Sequence, residues 1–139
     1  MPLTQEDLSQ SFGNTVSRIR DILSQRRVTI GEEKPGEAWL YGGKELEKEI
    51  KELKDEIKKK GHIVLQCNVF HFVRSAQIVQ NTQNPKPTYY LLIPVNGTPT
   101  YRPGERLLPG KAYYTDELPL LSCENWDIIM AALSKGNLT

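Results

Sequence analysis

Apolar residues recur at spacings of three and four in the first part of the chain, the period of an amphipathic helix. The positions are Leu8, Phe12, Val16, Ile19 and Leu23. We predict a helix from about residue 5 to residue 25, with Thr4 as its N-cap.

A second helical stripe lies in the middle of the chain, on a background of lysines and glutamates. Its apolar members are Leu46, Ile50, Leu53 and Ile57, and the helix is expected to end at Gly61. The stripe covers only about two heptads, whereas a sustained coiled coil needs roughly three or four. We therefore favour packing of this helix on a sheet, and keep homo-oligomer formation through the stripe as the alternative.

Other segments follow the period of two that is typical of strands. Two short strands are predicted at Val28–Ile30 and Ala38–Tyr41, and a long one begins at Ile63. Another strand precedes Asn96-Gly97, which is a strong hairpin signal, and its expected partner is the segment from Thr98 to Arg102.

The last segment carries Trp126, Ile129, Met130 and Leu133 at helical spacing, after Ser122 as a candidate N-cap. The element order then predicts an α+β fold. We expect a mostly antiparallel sheet of four or more strands, with an N-terminal helix, a central charged helix and a C-terminal helix packed against it.

Composition adds limits to this picture. A chain of 139 residues fits a single α+β domain over residues 1–139. The formal net charge of +1 provides no long-range field for nucleic acid or an acidic membrane. The N-terminal residues lack the apolar core of a signal peptide, and no apolar run is long enough for a bilayer span. We expect a soluble, cytoplasmic protein with no membrane association.

The residues with the most reactive side chains do not form a recognisable site. Cys67 and His71 share one face of the predicted strand but lie about 13 Å apart at roughly 3.3 Å per residue, too far to share one metal ion. His62 is on the opposite face, and neither Cys67 nor Cys123 lies in a nucleophile motif. We predict no catalytic residue, metal or cofactor.

The segment from Tyr101 to Thr115 contains two Pro-Gly pairs, which are typical of type II turns. The turns explain the prolines and glycines but not the charged and aromatic residues around them. Arginine and tyrosine are frequent at binding hot spots. The predicted partner-binding residues are Tyr101, Arg102, Glu105, Arg106, Lys111, Tyr113 and Tyr114.

Basic residues also cluster at the ends of the two predicted helices, where they offer contacts to phosphates. The candidate nucleic-acid-binding residues are Arg18, Arg20, Arg26, Arg27, Lys58, Lys59 and Lys60. The glutamates of the second helix and the near-neutral total charge weigh against this function.

Three functional hypotheses follow. The leading one is a small non-catalytic interaction or regulatory module that binds a macromolecular partner, which we expect to be a protein, through its Tyr/Arg-rich loops. The alternatives are a nucleic-acid-binding domain and an enzyme of unrecognised type, since a site assembled from distant residues leaves no local motif. A pocket lined by His71, Arg74 and a carboxylate would favour the enzyme.

Overall fold

The computed structural model describes residues 4–34, 38–72, 76–77, 89–96, 100–102, 105–108, 110–115, 120–121 and 126–135. Its helices are α1 (Gln10–Ser24) and α2 (Lys44–Lys59). Its strands are β1 (Thr4–Asp7), β2 (Thr29–Lys34), β3 (Ala38–Gly42), β4 (His62–Phe72), β5 (Ala76–Gln77), β6 (Tyr89–Asn96), β7 (Thr100–Arg102), β8 (Glu105–Arg106), β9 (Lys111–Thr115), β10 (Leu120–Leu121) and β11 (Trp126–Lys135).

Seven strands form one sheet in the order β1-β9-β6-β11-β4-β3-β2. Every neighbouring pair in it is antiparallel. Two smaller pairs, β10 with β5 and β7 with β8, lie outside this sheet. The mixed α+β class and the antiparallel sheet are therefore confirmed.

Both helices pack on one face of the sheet and enclose the main core. Phe12 and Ile19 of α1 and Leu53 of α2 are almost fully buried against Val69 and Ile129 of the central strands. Burial of each such side chain stabilises the fold by about 1.5–3 kcal/mol. The other face of the sheet is covered too, since Leu92, Tyr113, Ile128 and Met130 are also buried.

The predicted C-terminal helix is wrong, because Trp126–Lys135 forms the central strand β11, paired with β4 and β6. Residues 128–133 are buried without interruption. A strand covered on both faces has a continuous apolar run, and periodicity alone cannot distinguish such a run from a buried helix. The described part of the chain contains two helices instead of the expected three; Ser122 lies outside it.

The N-terminal helix begins later than predicted. Thr4 belongs to β1, which pairs with β9, and the N-cap of α1 is Ser9. The Ser9 hydroxyl accepts the backbone N–H of Phe12 at 3.3 Å. The four residues of β1 are exposed. They pair with β9 in an antiparallel ladder instead of forming another turn of the helix.

The expected hairpin partner of β6 is also wrong. The two neighbours of β6 are β9 and β11, and Thr100–Arg102 pairs with Glu105–Arg106 instead. By contrast, α2 was predicted closely and ends as expected near Gly61, which has φ +96°. In the described part of the chain, no helix combines the length and apolar character that crossing a membrane requires.

Candidate functional site

The predicted partner-binding segment begins as a small hairpin separate from the main sheet. Arg102 of β7 lies opposite Glu105 of β8, and Thr100 lies opposite Arg106. Pro103-Gly104 and Pro109 lie outside the described residues, as do the side chains of Tyr101, Arg102, Glu105 and Arg106. Gly110 has φ +85°, the conformation expected for glycine in the predicted second turn.

Tyr113 does not face solvent, contrary to the expectation. Only 2% of it is exposed, on the face of the sheet opposite the helices. Its hydroxyl accepts the backbone N–H of Leu108 at 2.8 Å. Strand alternation explains the correction, because adjacent Tyr113 and Tyr114 point to opposite faces of β9. Tyr113 therefore belongs to the core and anchors the chain that follows β8.

Lys111 and Tyr114 lie at the surface and bind the edge strand β1. The Lys111 ammonium pairs with Asp7, and this hydrogen bond raises the pKa of Lys111. The Tyr114 hydroxyl donates to Glu6 at 3.1 Å, and Lys60 from the end of α2 donates to the same carboxylate at 2.8 Å. Burial, followed by the charge of Glu6, raises the pKa of Tyr114.

Tyr114 is part of a group of aromatic rings that we call the aromatic cluster, made of His62, Tyr89 and Tyr114. The His62 ring stacks on Tyr114 and meets Tyr89 edge-on, with ring centroids 5.4 Å apart in both pairs. The Tyr89 hydroxyl and Nδ1 of His62 are hydrogen-bonded. All three residues are half-buried, and burial lowers the pKa of His62.

The candidate nucleic-acid-binding residues are spread along the helical layer: Arg26 and Arg27 follow α1 at one end, Lys58–Lys60 lie at the other, and Arg18 and Arg20 lie between them. Ser11 of α1 contacts Glu56 of α2, whereas Arg27 pairs with Glu45, so the helices are antiparallel. The basic end of α1 is therefore about 22 Å from Lys58–Lys60, at roughly 1.5 Å per residue. The two groups do not form one continuous patch.

Most of these basic side chains already bind groups within the fold. Arg18 donates to Glu49 and Glu52, each at 2.7 Å. Arg20 donates to the carbonyl oxygen of Val95 at 2.8 Å, Lys59 lies 3.8 Å from Glu56, and Lys60 pairs with Glu6. Arg26 and Lys58 are exposed. Carboxylates beside the basic groups weaken their attraction for a phosphate backbone.

The apolar stripe of α2 is covered by the rest of the chain. Leu46, Leu53 and Ile57 have no exposed surface, and Ile50 is 9% exposed. The stripe faces the sheet and α1, where it belongs to the main core. These four side chains pack within the chain itself, and homo-oligomer formation through them stays a prediction.

A polar cluster that sequence reasoning missed lies across four neighbouring strands, and we call it the Asp127 cluster. Asp127 Oδ1 accepts hydrogen bonds from the Tyr41 hydroxyl at 2.9 Å and from Nδ1 of His71 at 2.8 Å. Asp127 Oδ2 accepts from the Asn96 amide at 2.9 Å. Asp127 was placed on a helix, so its approach to His71 was not expected. The available signal was an acidic residue at the head of an apolar run.

Cys67 has the character expected of a structural thiol. It is 4% exposed, and burial raises its pKa to about 12. The thiol therefore stays protonated at neutral pH, whereas nucleophilic catalysis and metal binding use the thiolate. Cys123 lies outside the described residues. Within the part of the chain described, no group of three or more His, Cys, Asp or Glu side chains is arranged to hold a metal ion.

Comparison with known proteins gives no family. No protein-family model matches the chain, and no curated protein matches it. The crystal structure of the viral collagen prolyl hydroxylase of Paramecium bursaria Chlorella virus-1, in its 2OG complex, aligns over 97% of this chain and 96% of its own. The identity is 12% and the TM-score 0.36. A similarity of this size carries no argument about the fold or chemistry of the present chain.

Proposed function

We propose that this chain is a small interaction module that binds a protein partner at the sheet edge formed by β1 and β9, together with the β7–β8 hairpin that precedes β9 in the chain. The observation that supports it is the aromatic cluster together with its charged surroundings. Tyrosine and arginine are enriched among the residues that contribute most to binding.

The aromatic cluster is held before any partner arrives. His62 stacks on Tyr114, and Tyr114 is fixed by its hydrogen bond to Glu6. Side chains that are already ordered lose less conformational entropy when a complex forms. Half-buried tyrosine rings also present apolar surface beside a polar hydroxyl, which suits an interface.

Charged groups of both signs surround this surface. Lys60 pairs with Glu6, and Lys111 pairs with Asp7, whose side chain is 80% exposed. Exposed ion pairs of this kind add little to stability, about 0–1 kcal/mol. At an interface they provide complementary charges that orient a partner.

We include the hairpin in the proposed surface because it precedes β9 closely in the chain. Lys111, the first residue of β9, lies five positions after Arg106 of β8. Leu108 between them is 46% exposed, although its neighbour Leu107 is fully buried. We therefore expect Arg102, Arg106, Leu108 and Lys111 to act with Tyr114 on one partner.

A pull-down from native cell extract tests this function. The tagged chain should retain a specific protein, and Arg102→Ala with Arg106→Ala should reduce its recovery at least tenfold without changing the circular dichroism spectrum. The control is Lys48→Ala with Lys51→Ala, which removes the same charge from exposed positions on α2.

Nuclease treatment separates the two kinds of partner. A protein retained equally with and without nuclease supports the proposal. Recovery that disappears after nuclease treatment, or that is equal for the hairpin variant and the control, contradicts it. In the first case nucleic acid is the ligand, and binding should fall steeply with salt.

A further inference from the structure

Strand β1 is one of the two outer strands of the seven-stranded sheet. In the part of the chain that the structure describes, β1 pairs with β9 on one side and with no strand on the other. All four of its residues are exposed, and the side chain of Asp7 is 80% exposed. The outer side of β1 is therefore accessible to another chain.

One hydrogen bond shows which backbone groups of β1 point outwards. The N–H of Leu8 donates to the carbonyl oxygen of Gly110 at 3.4 Å, so Leu8 directs its N–H towards β9. In an antiparallel ladder, the N–H and C=O groups of successive residues point to alternate sides of the strand. Glu6 therefore faces β9 as Leu8 does, whereas Gln5 and Asp7 direct their N–H and C=O groups away from the sheet.

The two outer strands of the sheet differ in how well they accept a neighbour. The ladder of β2 with β3 shifts register between Ile30 and Glu33, and irregularities of this kind protect an edge against further pairing. By contrast, β1 pairs with β9 in regular register over four successive residues. A regular edge strand presents its outward-facing backbone groups at the spacing that an added strand needs.

The charge of β1 selects among the chains that fit such an edge. Glu6 and Asp7 are acidic, and none of the four residues of β1 is basic. Their lysine partners belong to inner elements, since Lys60 follows α2 and Lys111 begins β9. The Glu6 side chain remains 43% exposed beside its lysine. The outermost row of the sheet is thus acidic and favours a strand with basic side chains, because opposite charges across neighbouring strands stabilise their pairing.

A second copy of this chain suits the same edge less well. When two copies of β1 pair antiparallel, the register that bonds the outward-facing groups of Gln5 to those of Asp7 in both directions places Glu6 directly opposite Glu6 of the second copy. Like charges at directly opposite positions are destabilising. The edge therefore favours a different, basic chain.

We propose that the protein partner adds an extended segment containing lysine or arginine to β1, as a further antiparallel strand of the sheet. This inference rests on the proposed function and specifies how the partner is bound. The outward-facing groups of Gln5 and Asp7 bond the backbone of the added strand, and its basic side chains lie opposite Glu6 and Asp7. In this mode of recognition the main-chain hydrogen bonds supply affinity and the side chains supply specificity.

Residue-resolved exchange of backbone amides with solvent, measured by NMR on the full chain, tests the proposal. The probe is a synthetic peptide of sequence Thr-Val-Thr-Lys-Lys-Val-Thr-Val with both ends capped. At saturation it should slow exchange of the Gln5 and Asp7 amides about tenfold and leave the Glu6 amide, which faces β9, unchanged. One control peptide has N-methylated backbone amides and so keeps the charge without the donors, and another has glutamates in place of the lysines. Neither control should slow exchange at these positions.

A pair of variants at Gln5 tests the backbone contact itself. Gln5→Pro removes one outward-facing N–H but none of the donors that face β9, whereas Gln5→Ala keeps the N–H and removes the same side chain. Both should keep the circular dichroism spectrum of the original chain, and the lysine peptide should protect the Asp7 amide in Gln5→Ala alone. No protection by the lysine peptide, equal protection by the N-methylated peptide, or equal protection in both variants would overturn strand addition.

The pull-down distinguishes failure of this inference from failure of the proposed function. Recovery of the partner should fall at least tenfold for Gln5→Pro and stay unchanged for Gln5→Ala. Equal recovery with both, combined with a loss for the hairpin variant Arg102→Ala with Arg106→Ala, would reject strand addition and leave the partner surface in place. Recovery that the hairpin variant does not reduce would contradict the proposed function.

Discussion

At the scale of single residues, the surroundings of each side chain decide its chemistry more than its type does. The two histidines illustrate this: His71 is hydrogen-bonded to the carboxylate of Asp127, whereas His62 stacks on Tyr114 and meets Tyr89 edge-on. Cys67 is buried and keeps its proton, which removes it as a nucleophile. Similar residue types thus have different roles in the same sheet.

The lowered pKa of His62 predicts a particular response to acid. Burial is its main cause. Below the ordinary pKa of about 6.5, the unfolded chain binds a proton that the folded chain does not yet bind. His62 therefore makes the protein less stable as the pH falls from about 7 to about 5.

His62→Phe keeps a ring in the aromatic cluster but does not titrate. Urea unfolding at about pH 7 and about pH 5 should show a smaller loss of stability for this variant than for the original chain. An equal loss in both proteins would contradict the assignment to His62. This pH range lies above the one in which Glu6 takes up a proton. Burial raises the pKa of Glu6, but the hydrogen bonds from Lys60 and Tyr114 outweigh burial and lower this pKa from 4.5.

At the scale of elements, α2 contributes one continuous apolar face to the core. Leu53 lies in the middle of this face and has no exposed surface. Leu53→Ala removes buried contacts and leaves a cavity, so the free energy of unfolding should fall by about 2–5 kcal/mol. Lys51→Ala, an exposed position on the same helix, should change it by less than about 0.5 kcal/mol.

Denaturant unfolding of both variants measures these changes. A loss below about 1 kcal/mol for Leu53→Ala would mean that α2 does not pack as described. A coiled-coil role for the stripe would instead make the stability of the original chain depend on protein concentration.

The elements differ in how well the sequence predicts them, for physical reasons. Helix α2 is buried on one side and exposed on the other, so apolar and polar residues alternate with the helical period, and the helix was predicted almost to its ends. Residues 127–133 of β11 are buried whichever face of the sheet they point to, so the strand has no such alternation and was mistaken for a helix. That error also hid Asp127, whose partners Tyr41, His71 and Asn96 come from three other strands.

At the scale of the whole molecule, the proposed partner surface combines residues that the sequence singles out with contacts that only the fold creates. The partner surface depends partly on residues close together in sequence, such as Lys111 and Tyr114, and these were singled out from the sequence. Their contacts with Asp7 and Glu6 depend on the pairing of β1 with β9, which no local pattern indicated. Tertiary structure thus determines which of the predicted residues reach the surface, and it places Tyr113 in the core.

The most direct test of the proposed partner surface is photo-crosslinking in living cells. A p-benzoylphenylalanine residue in place of Lys111 lies at the start of β9, and the same residue in place of Lys51 lies on the exposed face of α2. We predict one crosslinked protein species from position 111 and none from position 51. No adduct at position 111, or the same adducts at both positions, would contradict a partner surface at this end of the sheet.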